Sequence, residues 1–356
     1  MKVIQIDTAT PNPPEQAILI IYTGGTIGMV KDPKIGGGFV PFDFEQILEK
    51  IPELHHFDMQ LTLYSLEPLI DSSDITPEYW LRISQVIQEN YAQYDGFVIL
   101  HGTDTMAYSA SALSFLLEGL NKPVILTGAQ LPIGTVRNDA RTNLLTSIEI
   151  AAAKKDGKPL VPEVCICFHD LLLRGNRAKK LESAHFDAFQ SENYPALATI
   201  GTHIEYNFSA ILPYESARQL QLQPVMESNV AILKMFPGIS AKVVKNLLST
   251  EGLKGVVLET YGSGNAPTVP WFIELLKEAI QKGIHILNIS QCIGGQVRQG
   301  RYATSSLLLD VGVLGGSDLT LEAGITKMMY LLGKKTPASA FKKRLVEPLC
   351  GELTPI

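Results

Sequence analysis

An α/β fold built on a mostly parallel sheet, in two successive blocks, is what the sequence predicts. Two observations carry the prediction: short, continuously apolar runs alternate with longer amphipathic ones, and the alternation restarts after a stretch without periodicity. The runs Ala17–Tyr22, Gly96–Leu100, Pro123–Thr127 and Val164–Phe168 in the first block, and Val230–Lys234, Gly255–Thr260 and His285–Ile289 in the second, are rich in Val, Ile and Leu. They lack strict apolar–polar alternation, which suits strands covered on both faces, as in a parallel sheet. Between them, Pro77–Tyr91 brings Trp80, Ile83, Val86 and Ile87 to one side at helical spacing, with Thr76 available as an N-cap and Pro77 in the first turn. Met106–Glu118 and Ala140–Ala153 have the same character, and Ser240–Leu248 and Pro270–Gln281 continue it in the second block. The stretch 197–229 mixes Pro, Tyr, Asn and Gln and reads as a linker with room for an edge strand. The expected domains are 1–196, a linker over 197–229, and 230–356.

Composition narrows the function. The 356 residues are 46% hydrophobic and 19% charged, proportions of a folded globular chain rather than a disordered or collagenous one. With 30 Lys and Arg against 36 Asp and Glu the net charge is −6, so the basic field that phosphate backbones require is missing and nucleic acid is not expected as a partner. The most apolar short run, Ala17–Tyr22, falls far below the roughly 18 residues of a membrane span. No apolar targeting segment opens the chain, and a cytoplasmic location without membrane attachment is expected. Four Cys are too sparse for a disulfide framework, and Cys165 and Cys167, two apart on an extended run, read as small buried residues. The seven His are scattered without a metal-ligand spacing, so neither metal nor cofactor is expected.

Chemistry-bearing residues follow the carboxyl ends of the expected strands, where ligands bind in open α/β sheets. Ala17–Tyr22 runs into Thr23-Gly24-Gly25-Thr26-Ile27-Gly28. A dinucleotide fingerprint would need glycine where Thr23 stands, and no phosphate-binding Gly-Lys-Ser/Thr loop occurs. What remains is the Thr26 hydroxyl just past a glycine turn, either a nucleophile or a simple cap. Gly96–Leu100 runs into His101-Gly102-Thr103-Asp104-Thr105, a second hydroxyl beside a glycine, now with a carboxylate. Asp71-Ser72-Ser73-Asp74 offers short acceptors for a substrate ammonium or for a helix cap. Thr127-Gly128-Ala129-Gln130 ends a third strand, and Arg174–Lys180 is a basic segment that supplies a lysine.

Thr-Gly-Gly-Thr-Ile-Gly (23–28) and His-Gly-Thr-Asp-Thr (101–105) together resemble the L-asparaginase family, its cytoplasmic type I branch in particular. The resemblance runs over essentially the whole chain and includes Leu-Ile-Asp-Ser-Ser-Asp (69–74), Arg-Gly-Asn-Arg (174–177), Tyr-Gly-Ser-Gly-Asn-Ala-Pro (261–267) and Gly-Glu-Leu-Thr-Pro (351–355). It implies a hydrolase that deamidates L-asparagine to L-aspartate and ammonia through a covalent threonine acyl-enzyme, with a larger N-terminal catalytic domain and a smaller C-terminal α/β domain. It also implies a homodimer or a homotetramer made of two dimers. By motif, Thr26 resembles the nucleophile, and Thr103, Asp104 and Lys180 the supporting set: Thr103 orients the proton transfer or the attacking water, Lys180 is bonded to it, and Asp104 partners Lys180 and faces the substrate's α-amino group. Asp71, Ser72 and Ser73 resemble the grip on the α-carboxylate and α-amino groups. Ala129 stands where the family holds the carboxamide nitrogen with a backbone carbonyl, and Asn265 resembles a residue supplied by the neighbouring subunit.

Three departures qualify the resemblance. The mobile lid that normally carries a tyrosine hydroxyl has Phe39 after Gly36, Gly37 and Gly38, and Tyr22 is the hydroxyl near Thr26 that could substitute for it. Glu259 and Lys179 stand near the segments that form a second, regulatory asparagine site in some relatives, and no allosteric site is inferred. The alternatives are a dual asparaginase/glutaminase, a non-catalytic amino-acid sensor on the same scaffold, and the asparaginase-like subunit of a tRNA amidotransferase. The last normally carries an extra N-terminal domain, for which the residues before Ala17 leave little room.

Overall fold

The computed structural model describes residues 2–6, 8–9, 14–32, 38–41, 51–300 and 303–355. They form two units, one of residues 1–191 and 195–222 and the other of residues 192–194 and 223–356. In the first unit the elements in chain order are β1 (Lys2–Ile6), β2 (Ala17–Tyr22), β3 (Met29–Asp32), β4 (Gly38–Pro41), β5 (Gln60–Ser65), α1 (Pro77–Asn90), β6 (Gly96–Leu100), α2 (Met106–Leu116), β7 (Val124–Thr127), α3 (Ala140–Ala152), β8 (Val164–Phe168), β9 (Leu171–Arg174), β10 (Ala198–Ile200) and β11 (Ile204–Tyr206).

Nine of these strands make one sheet in the order β1-β5-β2-β6-β7-β8-β9-β10-β11. Its centre, β5 to β8, is parallel; β2, β6, β7 and β8 are the expected apolar runs, whereas β5, with its polar residues, was not among them, and β6, β7 and β8 are buried at every residue, as strands covered on both faces must be. Antiparallel strands close both edges, with β1 on β5 at one side and β9, β10 and β11 at the other. The stretch expected to be a linker therefore needs correction: residues 195–222 belong to the first unit and supply two sheet strands. Short three-residue strands bounded by polar turns carry too little periodicity to be seen in advance.

One local expectation also changes. Thr76 occupies the N-cap position of α1 with extended backbone but makes no capping bond; its hydroxyl instead lowers the Glu78 carboxyl through a hydrogen bond. In the segment read as a lid, β3 pairs antiparallel with β4, with Lys31 opposite Phe39. Gly36, Gly37 and the Phe39 side chain lie outside the described residues. Cys165 and Cys167 are fully buried and free, and burial pushes the Cys167 thiol up to about 12. Among the described residues no helix is long and apolar enough to cross a membrane.

The second unit carries β12 (Val230–Lys234), α4 (Ala241–Leu248), β13 (Gly255–Thr260), α5 (Pro270–Gln281), β14 (His285–Ser290), α6 (Ala303–Asp310), β15 (Leu314–Gly315), α7 (Leu321–Gly333) and α8 (Ala338–Val346), and its sheet β12-β13-β14-β15 is parallel throughout. The Gly-Glu-Leu-Thr-Pro motif has a structural use here. Glu352 accepts from the Leu349 and Cys350 amides and meets Lys327 of α7 at 2.6 Å, with both side chains fully buried. Burial pushes the Lys327 ammonium down; it also pushes the Glu352 carboxyl up, but the Lys327 charge and the hydrogen bonds from Lys327 and the backbone amides together leave that carboxyl lowered. Removing one partner strands a buried charge. Lys327→Met is expected to cost about 3–5 kcal/mol, and the double variant Lys327→Met with Glu352→Met to recover most of it. Thermal midpoints of the two variants check this; equal losses would show that the pair's charges do not compensate each other.

Candidate active site

The site is built by four neighbouring parallel strands. From β2 the chain passes outward to β5 and then returns across β2 to β6, so the connections leaving β2 and β6 diverge and open a crevice at the carboxyl ends. Backbone hydrogen bonds continue past the strands and stitch the emerging loops together. Leu66 N donates to Tyr22 O at 3.0 Å, Ile70 N to Thr23 O at 2.9 Å, and Thr23 N to Leu100 O at 3.1 Å. His101 N donates to Thr127 O at 2.9 Å. The buried Thr23 hydroxyl adds a second bond to Leu100 O, also 2.9 Å, which explains a threonine where a dinucleotide loop would have glycine.

Thr26 opens a 3-10 turn, Thr26–Gly28, directly after Gly25, whose φ of 88° is open to glycine and costly for other residues. A Cβ at Gly25 would also lie 2.5 Å from Gly102 N, so the backbone beside Thr26 touches the backbone beside Thr103. Gly102 is hemmed in likewise, since a Cβ there would lie 2.5 Å from Ser72 Oγ. Thr26, Ser72 and Thr103 are thus carried on three mutually touching segments. Thr105 Oγ1 reinforces the last contact by donating to Ser72 O at 2.7 Å.

Lys180 completes the cluster from a distant segment. Its Nζ donates to Thr103 Oγ1 and to Asp104 Oδ1, both at 2.8 Å. The Lys180 side chain is 16% exposed and that of Asp104 65%, so the pair leads outward from a buried threonine toward solvent. Lys179 and Lys180 form a short strand opposite Phe189–Gln190, and successive side chains there point to opposite sides, which separates Lys179 from the cluster. Ala129 is buried in the segment after β7. That segment is held by Asn143 Nδ2 to Gly128 O at 3.0 Å and by the Asp139 carboxylate, which accepts from the Gln130 and Leu131 amides.

Other expected residues fall differently. Of the acceptor cluster, Ser72 is buried while Asp71 and Ser73 are exposed. The Asp71 carboxylate accepts from Ser73 N at 2.8 Å, the bond that lowers its pKa. Asn265 lies in the second unit, where its N and O pair with Tyr261 in a tight turn. The Tyr22 hydroxyl donates its one proton to Gly28 O at 3.2 Å, and burial drives its pKa well above the ordinary range, so it is unsuited to take a proton from Thr26. Glu259 is buried, with Lys234 at 3.8 Å. Among the described residues no group of three His, Cys, Asp or Glu side chains is placed to hold a metal.

Sequence reading missed the support behind the loop. Trp80 Nε1 donates to Ser109 Oγ at 2.8 Å, Ser109 Oγ lies 2.9 Å from His101 Nε2, and His101 Nδ1 lies 2.7 Å from Gly102 O. A carbonyl only accepts, so Nδ1 carries the proton, Nε2 accepts from the serine, and every polar group is satisfied with the imidazole neutral. Burial agrees, holding His101 down at about 4. The available signal was Ser109, a polar residue inside the buried helix α2.

The chain's similarities agree with this geometry. The family model described as asparaginase, N-terminal, matches residues 17–212, and the glutaminase/asparaginase C-terminal domain model matches residues 229–345. This chain belongs to the asparaginase family. L-asparaginase 1 of Escherichia coli K12 is 42% identical over 344 residues, covering 96% of this asparaginase-family chain and 99% of that protein. The 60 kDa lysophospholipase of Mus musculus is 40% identical over 365 residues, covering 96% of this chain and 63% of that longer protein. The crystal structure of L-asparaginase I from Vibrio cholerae superposes with a TM-score of 0.86 at 39% identity, covering 95% of this chain and 99% of the other.

His101 gives this family member a testable acid sensitivity. The unfolded imidazole takes a proton near 6.5 and the folded one only near 4, so stability is fully present above about 6.5 and falls as pH drops through that window, by about 3 kcal/mol in all. His101→Gln is expected to lower stability at pH 7 and to flatten the decline between pH 6.5 and 4. An unchanged slope of unfolding free energy against pH in that variant would contradict the assignment.

Proposed function

We propose that this chain hydrolyses L-asparagine to L-aspartate and ammonia through an ester on Thr26. The observation that carries the reading is the convergence of Thr26, Ser72 and the Thr103–Lys180–Asp104 cluster at one set of strand ends, in a chain of the asparaginase family. The Thr26 oxygen attacks the side-chain amide carbon, a C–O bond forms, the C–N bond breaks, and the threonine proton leaves on ammonia. Water then adds hydroxide to the acyl carbon and returns a proton to Thr26. A threonine hydroxyl is a weak nucleophile that needs a placed acceptor, and Thr103 is a hydroxyl carried on the loop that touches Gly25.

Lys180 donates to Thr103 and Asp104 and so fixes both. Asp104, exposed toward the crevice, is suited to the substrate's ammonium, and Ser72 to its α-carboxylate. In this reading backbone amides near Thr103 form the oxyanion hole, and the Ala129 carbonyl holds the carboxamide nitrogen. The active form is a homodimer, alone or paired into a tetramer, in which Asn265 of the neighbouring subunit completes the pocket. A cytoplasmic setting suits the free, buried Cys165 and Cys167.

A second reading, a dual asparaginase/glutaminase, is favoured by the glutaminase/asparaginase description of the matching C-terminal domain. The two substrates differ by one methylene, worth about 1–3 kcal/mol, so L-asparagine is expected to lead L-glutamine in kcat/KM by roughly tenfold to two-hundredfold. Ammonia release from wild type and from Thr26→Ala tests the main reading. The variant is expected to lose at least about a thousandfold in kcat; undiminished release by Thr26→Ala overturns the threonine ester, and a wild type inert toward both amides leaves an amino-acid sensor.

A further inference from the structure

Gln130 has no part in the reaction so far described, yet it is fixed at three points. Its backbone N–H donates to both oxygens of the buried Asp139, at 3.1 and 2.9 Å, and Asp139 also accepts from Leu131 N and Asn143 Nδ2. Its side-chain Nε2 donates to His185 O at 2.9 Å. Because a backbone carbonyl only accepts, this bond fixes which end of the amide is nitrogen and leaves Oε1 facing the other way. There Oε1 lies 3.4 Å from Thr103 Oγ1 as the acceptor of its hydroxyl.

The surroundings of Thr103 Oγ1 are then determined. An alcohol oxygen has one proton to give and two lone pairs. One lone pair takes the hydrogen bond from Lys180 Nζ at 2.8 Å, and the proton is directed at Gln130 Oε1. The second lone pair is left for the crevice. At 3.4 Å the Gln130 contact is long, as catalytic hydrogen bonds often are before substrate closes the site.

We propose that Gln130 is a positioning residue for hydrolysis: by accepting the Thr103 hydroxyl it holds that oxygen as an acceptor toward the reacting water instead of letting it rotate into a donor. Gln130 makes and breaks no covalent bond. The proposal rests on the reading of Thr103 as the group that orients the water. Without the glutamine carbonyl the hydroxyl proton is free to swing into the crevice, where it would meet the water oxygen with the wrong polarity. Asp139 acts one step further back, fixing the backbone from which the Gln130 side chain extends.

Two variants separate orientation from mere packing. Gln130→Met keeps the length and deletes the acceptor; Gln130→Glu keeps an acceptor beside Thr103. Gln130→Met is expected to lower kcat for L-asparagine about tenfold to a hundredfold with KM within about threefold, and to accumulate acyl-enzyme in rapid-quench experiments because water attack is the step impaired. Gln130→Glu is expected to recover kcat to within about fivefold of wild type. A Gln130→Met enzyme within about twofold of wild type overturns the proposal, and so do equal losses in the two variants. Thr26→Ala is run beside them: asparagine turnover that survives it sinks the underlying ester reading, whereas turnover that requires Thr26 and ignores Gln130→Met sinks the present inference alone.

Discussion

Everything at the site depends on backbone approaching backbone at the carboxyl ends of β5, β2, β6 and β7. Parallel pairing brings those four ends to the same height, and the chain's return across β2 parts the outgoing loops. Gly25 and Gly102 then allow contact closer than any side chain permits. Because the loops continue the sheet's hydrogen-bond pattern through Thr23, Leu66, Ile70 and His101, their relative positions inherit the rigidity of a fully buried core. A reactive constellation held this way loses little freedom when substrate arrives, and correct placement supplies much of an enzyme's rate.

Polar groups around this junction are arranged so that each has a defined direction. Trp80, Ser109 and His101 form a chain of single donors ending on Gly102 O, which fixes the peptide linking Gly102 to Thr103 from behind. Asp139 and Asn143 do the same for the segment from Gly128 to Leu131. On the open side, Lys180 supplies donors to Thr103 and Asp104. Polarity is buried behind the site and presented in front of it, a division that lets solvent-facing charges meet substrate while neutral groups hold the frame.

Much of this was legible in the chain itself. The central strands β2, β6, β7 and β8 were readable because burial on both faces favours Val, Ile and Leu, whereas β5, which mixes in polar residues, was not; the hydroxyls of Thr26 and Thr103 stood out because each follows such a run beside a glycine. The edge strands β1, β10 and β11 are short and half-exposed, and so few residues set up no clear period. The relay behind Gly102 was illegible for a different reason: Trp80, Ser109 and His101 sit on α1, α2 and a loop, and only the packing of those elements makes their spacing meaningful. Lys180 is the intermediate case, a residue that looks like part of a solvated charge run until resemblance to a family, and then the 2.8 Å bond to Thr103, gives it a partner.

The ester on Thr26 can be sought directly. Lys180→Met protein, in which loss of the Thr103 bond is expected to slow hydrolysis of the ester, is mixed with L-asparagine, quenched in acid within the first turnover, digested and examined by peptide mass spectrometry. The peptide containing Thr26 should gain the mass of one aspartyl acyl group, localised to that residue. Ammonia released with no such adduct in the first turnover, or an adduct on Thr103 instead, would contradict Thr26 as the nucleophile.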